Sequence, residues 1–111
     1  MNDLEQEFFD EMQRRIVKNF LDMLILRRLS ERSMTGYGII AFLNNKFHTL
    51  MSSGTIYNYL YLLERKGWIK GESTKRGTVY TLTKQGKENI RTFLNSKNKI
   101  LGLVLNLFDG E

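Results

Sequence analysis

Between residues 34 and 86, four short patterns follow one another in an order that narrows the fold more than anything else in the chain. They are Met34-Thr35-Gly36-Tyr37-Gly38, Ser53-Gly54-Thr55-Ile56-Tyr57, Leu63-Glu64-Arg65-Lys66-Gly67-Trp68-Ile69 and Tyr80-Thr81-Leu82-Thr83-Lys84-Gln85-Gly86. The first two put small hydroxyl residues and glycine where a helix begins. The third ends a helix at a glycine and runs into β-prone residues. The fourth ends a strand and opens another helix at Thr83. Helix, turn, helix, hairpin, helix is the order of a winged helix-turn-helix, which lays one helix in the DNA major groove. The expected fold class is mainly α, a winged helix-turn-helix with long N- and C-terminal dimerisation helices.

The flanking segments fit that expectation. From Asp3 to about Ser30 there is no Gly or Pro, and Phe9, Met12, Ile16, Phe20 and Met23 recur at helical spacing. A second stripe runs through Val17, Leu21, Leu24, Ile25 and Leu29. One helix with two apolar faces needs two partners, its own core and another chain. Ser33 to Gly38 breaks the pattern, and Thr35 or Ser33 can cap a second helix reaching about Phe47. Ser52 or Ser53 caps a third, in which Ile56, Leu60 and Leu63 set the buried face; Thr55, Asn58, Tyr61, Leu62 and Arg65 then point away from it. Gly67 is the expected residue just past that helix. Trp68 to Glu72 and Thr78 to Leu82 form a hairpin joined by Ser73 to Gly77, with Trp68 packing this wing on the core. Thr83 caps a last helix running from Lys84 to about Phe108.

In that last helix Ile90, Phe93, Lys97, Ile100, Val104 and Leu107 repeat by three and four, beside a second seam of Leu94, Leu101, Leu105 and Phe108. The chain therefore reads as one domain over 1–111: an N-terminal helix (1–30), helix-turn-helix and wing (34–83), and a C-terminal dimerisation helix (84–108). The expected dimer interface is Phe9, Ile16, Phe93, Ile100, Leu101, Val104, Leu105 and Phe108.

Several chemistries lack material. There is no cysteine, and His48 is the only histidine, read as a surface turn residue; neither a metal site nor a nucleophile–base pair is expected. The glycines at 36 and 38 follow no strand into a helix as a dinucleotide site would, and the carboxylates are scattered, so no catalytic residue, metal or cofactor is expected. The first eleven residues carry Asp3, Glu5, Glu7, Asp10 and Glu11, unlike a basic secretory leader, and the apolar runs are too short to span a bilayer. A cytoplasmic protein with no membrane partner is the expectation. Net charge is +5, but between residues 12 and 108 all 17 Lys and Arg face only 5 acids. Such a field favours a polyanion.

The expected DNA-contacting set is Thr35, Tyr37, Ser52, Ser53, Gly54, Thr55, Tyr57, Asn58, Tyr61, Lys75, Arg76 and Gly77. Ser52, Ser53 and Thr55 bring hydroxyls and free backbone N–H groups to a helix start, which suits phosphates. Asn58 can donate and accept at adenine's major-groove edge. Tyr57 and Tyr61 can bond phosphates or pack on a thymine methyl. Lys75 and Arg76 at the wing tip would reach the flanking backbone or the minor groove. The competing readings are a sequence-independent architectural DNA protein and a winged helix used for protein contacts through Tyr61 and Leu62.

Over residues 20 to 90 the four patterns resemble the PadR family of winged-helix transcriptional regulators. Met34 to Gly38 looks like the family's second-helix start and Ser53 to Tyr57 like its recognition-helix opening. Leu63-Glu64 with Gly67-Trp68-Ile69 is similar to its exit into the wing, and Tyr80 to Thr83 with Gly86 to the last strand and helix start. The resemblance implies a homodimer held by the first and last helices. It also implies repressor-type binding to a palindromic double-stranded DNA operator, relieved in many members by a small hydrophobic or aromatic effector. Ser53 and Asn58 stand where the family usually has proline, and Tyr61 and Leu62 where basic residues are common. With one helix after Gly86, the chain looks like the short subgroup without a separate C-terminal domain.

Overall fold

The helix expected over residues 3–30 is two helices. In the computed structural model, which describes residues 2–48 and 51–110, α1 runs Asp3–Asn19 and α2 Leu21–Leu29. They meet at Phe20, whose backbone leaves helical geometry at φ −107°, ψ 19°. Phe20 packs its ring 5.7 Å from that of Phe93, and beyond it α2 turns Leu21, Ile25, Leu26 and Leu29 into the core. Only Val17 of α1 is buried. The bend lets one stripe serve the core while the other leaves it, and no Gly or Pro was needed to produce it.

The C-terminal helix divides in the same way, correcting the single helix expected over 84–108. The α5 helix spans Lys84–Asn95 and α6 spans Lys97–Phe108, parted at Ser96 with φ −102°, ψ 4°. The Ser96 hydroxyl donates to the Thr92 carbonyl one turn back at 2.8 Å, a bond that competes with the helical ladder and bends it. Ile90 of α5 is in the core, whereas no residue of α6 is buried.

Between these ends lie β1 (Met34–Thr35), α3 (Gly36–Phe47), α4 (Ser53–Arg65), β2 (Ile69–Thr74) and β3 (Gly77–Leu82). The sheet is antiparallel in the order β1-β3-β2, with Met34 opposite Tyr80 and Ile69 opposite Leu82. The two-residue β1 was not foreseen. The wing turn is also tighter than expected: Ser73 and Gly77 belong to the strands, Thr74 pairs with Gly77, and only Lys75 and Arg76 form the tip.

Three hydroxyls open three helices. Thr35, Ser52 and Thr83 accept from the N–H groups of Gly38, Thr55 and Gly86 at 3.0, 3.1 and 3.2 Å. Each such cap stabilises by about 1 kcal/mol. The α4 helix closes through Gly67 at φ +79°, with the Trp68 N–H returning to the Leu63 carbonyl (3.0 Å) and the Gly67 N–H to Glu64 (2.9 Å). This pair of hydrogen bonds needs a left-handed residue at position 67, where a side chain would be strained. The core joins Leu21, Ile25, Leu26 and Leu29 to Ile39, Leu43, Ile56, Leu60 and Leu63, then to Ile69, Tyr80, Leu82 and Ile90. Trp68 packs against its edge, beneath the Lys66 ammonium at 4.8 Å.

Candidate nucleic-acid interface

The buried face of α4 is Ile56, Leu60 and Leu63, which leaves the other side of the helix to solvent. Ser52, Ser53, Gly54, Tyr57, Asn58, Tyr61, Leu62 and Arg65 are exposed there, and Thr55 is half-buried. Ser52 is committed to capping, its hydroxyl also lying 2.8 Å from that of Thr55. Among the described residues, Asn58 has no hydrogen-bond partner for its side-chain amide in the structure's bonding network. Tyr61 is 57% exposed, and the Arg65 guanidinium lies 5.7 Å from its ring centre. A cation over an aromatic face holds both groups at the surface.

Tyr57 has a second task. A Cβ built on Gly36 would stand 2.6 Å from its ring, so Tyr57 roofs the start of α3 with one edge while its other side meets solvent. Thr35 is likewise engaged, as the cap of α3 and the end of β1. Tyr37, one residue into α3, is 77% exposed. At the wing tip Lys75 and Arg76 are exposed and form no ion pair among the described residues. The turn is stiffened by Thr74, whose hydroxyl donates to the Gly77 carbonyl (2.6 Å) and accepts from the Arg76 N–H (3.1 Å). Gly77 adopts φ +109°, open only to glycine without strain.

One pair of site-positioning residues escaped sequence reasoning. The Glu64 carboxylate accepts the Gly71 N–H at 3.2 Å, tying α4 to the first wing strand. A Cβ at Gly71 would stand 2.9 Å from Thr78 and 3.2 Å from Tyr80. A glycine inside a strand is the signal that could have revealed this close approach. Beneath it, burial first and then the neighbouring Glu64 carboxylate and Tyr57 phenol raise the Tyr80 phenol above its ordinary value of 10.0.

The residues proposed for a dimer lie apart from this surface. Phe9, Ile16, Leu101, Val104, Leu105 and Phe108 are exposed, and Ile100 is half-buried. Phe93 is different, being packed against the core and Phe20. Leu4, Phe8, Leu103 and Leu107 are equally exposed apolar residues on α1 and α6 outside the expected interface set, although Leu107 belongs to the seam read from the sequence. Among the described residues there is no cluster of three His, Asp or Glu able to hold a metal, and no helix is long and apolar enough to cross a membrane.

Residues 25–92 match the family model described as the transcriptional regulator PadR-like family. Among solved structures, a PadR-like transcriptional regulator from Bacillus cereus is similar at 28% identity and TM-score 0.70, over 87% of this chain and 99% of its own. Bacillus subtilis PadR in complex with operator DNA is similar at 27% identity and TM-score 0.61, over 67% of this chain and 46% of that one. A PadR family regulator from Eggerthella lenta reaches TM-score 0.74 over 99% of this chain and 100% of its own, and at 18% identity it speaks to the fold alone. No curated protein matches the chain.

Proposed function

This chain belongs to the PadR-like family of transcriptional regulators, and from that premise we propose that it represses transcription by occupying a palindromic promoter site as a homodimer. One observation carries the reading. The outer face of α4 presents Ser53, Asn58 and Tyr61 to solvent, beside a rigid wing tip bearing Lys75 and Arg76. The operator complex of the Bacillus subtilis relative supports DNA as the partner. In this role the helix start takes phosphates, Asn58 reads a base edge, and Tyr57 and Tyr61 flank it. Gly54 adds no bulk there, since a Cβ on it would meet nothing nearer than 4.0 Å. Two α4 helices related by a two-fold axis would enter grooves about one helical turn apart, or a multiple of that.

The deciding experiment compares affinity for the chain's own promoter and for random DNA at one salt concentration. A ratio above about a thousand supports a specific regulator. Tight but unselective binding would point to an architectural protein, and no binding to a protein-contact role for Tyr61 and Leu62.

Asn58→Ala tests the base contact. A two-pronged contact to adenine is worth about 1–3 kcal/mol of discrimination. The substitution should leave fold and dimer intact, hold non-specific affinity nearly constant, and relax preference at one base pair per half-site. If affinity instead falls equally for every sequence, Asn58 touches phosphate, and specificity comes from Tyr61, Arg65 or DNA shape.

The wing tip has its own signature. Neutralising Lys75 and Arg76 together should reduce the log–log salt slope by about one to two units and leave the preferred sequence unchanged. An unaltered slope would remove the wing tip from the interface.

A further inference from the structure

The strip of α4 turned directly away from the core is Gly54, Asn58, Tyr61, Leu62 and Arg65, spaced by threes and fours. All five are exposed. Tyr61 and Leu62, at 57% and 42%, belong neither to the core nor to the side chains packed against it. From Ser53 to Leu62 the helix carries no Lys, Arg, Asp or Glu. Lysine and arginine are the usual readers of guanine, and carboxylates those of cytosine. Arg65 does not fill the gap. It lies about 18 Å along the axis from Ser53, past the N-terminal turns that reach base edges. Its guanidinium is turned onto the Tyr61 ring, with Nη1 3.5 Å from the phenol oxygen. In a major groove, an exposed apolar pair on such a strip has one complement, the C5-methyl of thymine.

We propose that Tyr61 and Leu62 specify thymine by that methyl, so that α4 reads A·T pairs and takes nothing from guanine. This rests on α4 being the helix that enters the groove. Asn58 supplies the adenine half of the readout through two bonds, and the apolar pair supplies the thymine half. Side chains three and four apart on a helix stand about 5–6 Å from one another, and the duplex rises about 3.4 Å per pair. The thymine therefore lies within about two base pairs of the adenine that Asn58 touches.

Gly54, one turn before Asn58 on the same strip, fits so close an approach. Its φ is not left-handed, and a Cβ on it would meet only Ser52 Oγ, at 4.0 Å, so α4 itself has no need of glycine there. Bare backbone lets the groove wall come nearer. Lys75 and Arg76, in no ion pair among the described residues, supply the attraction to phosphate that the uncharged strip lacks.

Selection of duplexes from a random pool by the whole protein yields the half-site. Each thymine in it is then replaced in turn by deoxyuridine, which keeps the pairing and removes only the methyl. Withdrawing one buried methyl costs about fourfold in affinity. One or two positions per half-site should show that loss, rising to about fifteenfold when both half-sites are changed together. Other thymines should stay within about twofold. Leu62→Ala and Tyr61→Ala, both outside the core, should between them erase these penalties, a coupling that altered DNA flexibility would not produce. At a sensitive position cytosine should bind more weakly than thymine, and 5-methylcytosine should recover about fourfold. Replacing guanines by 7-deazaguanine, which lacks the N7 acceptor, should change affinity by less than about twofold.

Deoxyuridine tolerated at every position, or penalties that persist in both variants, would overturn the proposal while leaving a specific regulator in place. So would a loss of about tenfold or more with 7-deazaguanine, or a sensitive thymine lying further than about two pairs from the pair relaxed by Asn58→Ala. A pool that enriches no sequence would instead refute the function proposed above, and this readout with it.

Discussion

Gly86→Ala should destabilise the fold by about 3 kcal/mol, a large effect for one added methyl. The new Cβ would lie 2.0 Å from the Trp68 carbonyl oxygen and 3.0 Å from the carbonyl carbon, and both are backbone atoms that cannot swing aside. Relief requires α5 to lift, which stretches the Thr83 bonds to Gly67 and Trp68 and opens a gap beside Leu82 and Ile90 in the core. Gly36→Ala makes an instructive comparison. Its Cβ would also come too close, at 2.6 Å, but to the outer atoms of the Tyr57 ring. That ring is 45% exposed and can rotate outward, so the cost should be smaller and should fall on the position of Tyr57. For a chain of this size 1 kcal/mol moves the melting temperature by about 4–8 °C, so Gly86→Ala should melt about 15 °C lower at matched protein concentration. The neighbouring Gln85→Ala, on the exposed side of the same turn, should stay within about 0.5 kcal/mol of the parent. A Gly86→Ala protein melting within about 3 °C of the parent would mean that α5 slides freely over the wing root, and the rigid junction would have to be abandoned.

Gly86 also marks the limit of what was legible beforehand. Its place in the Tyr80-to-Gly86 pattern was visible, but the reason for a glycine there was not, because the clash comes from a carbonyl eighteen residues away in sequence. What could be read was local. Caps at Thr35, Ser52 and Thr83 follow from hydroxyl chemistry within four residues, and the buried face of α4 follows from spacing alone. The breaks at Phe20 and Ser96 were hidden because neither residue is a helix breaker. One is set by packing on Phe93 and the other by a hydroxyl turned back on its own helix. Those breaks explain why Phe93 reads as an interface residue from its seam yet packs on the core. The seam is continuous in sequence, but the helix that would carry it is not. Two residues of β1 are too few to show any alternation. The outer face of α4 was legible as a surface. The Glu64–Gly71 tie that orients the wing beside it was not, since a carboxylate on an exposed helix face reads first as a solvated charge.

Leu101→Asp together with Leu105→Asp should abolish the proposed dimer while leaving a folded monomer. The two side chains are 58% and 57% exposed within the chain, one turn apart on α6, and the core of α2, α3, α4 and the sheet does not include them. Their removal therefore costs the single chain little. In a dimer formed through α6 four leucines would be withdrawn from the interface, each worth about 1.5–3 kcal/mol when buried. The loss is at least about 6 kcal/mol, more than four decades in dissociation constant, before the expense of burying carboxylates is counted. Sedimentation across a range of concentrations, with circular dichroism as a check on helix content, should find a native-like monomer. Operator affinity should fall with it, because one half-site contact replaces two linked ones, whereas weak binding to a single half-site should persist. A double variant that remains fully dimeric would move the interface off α6, to the exposed face of α1 with Leu4, Phe8, Phe9 and Ile16. The spacing between the two α4 helices, and with it the expected half-site separation, would then have to be drawn again from that helix.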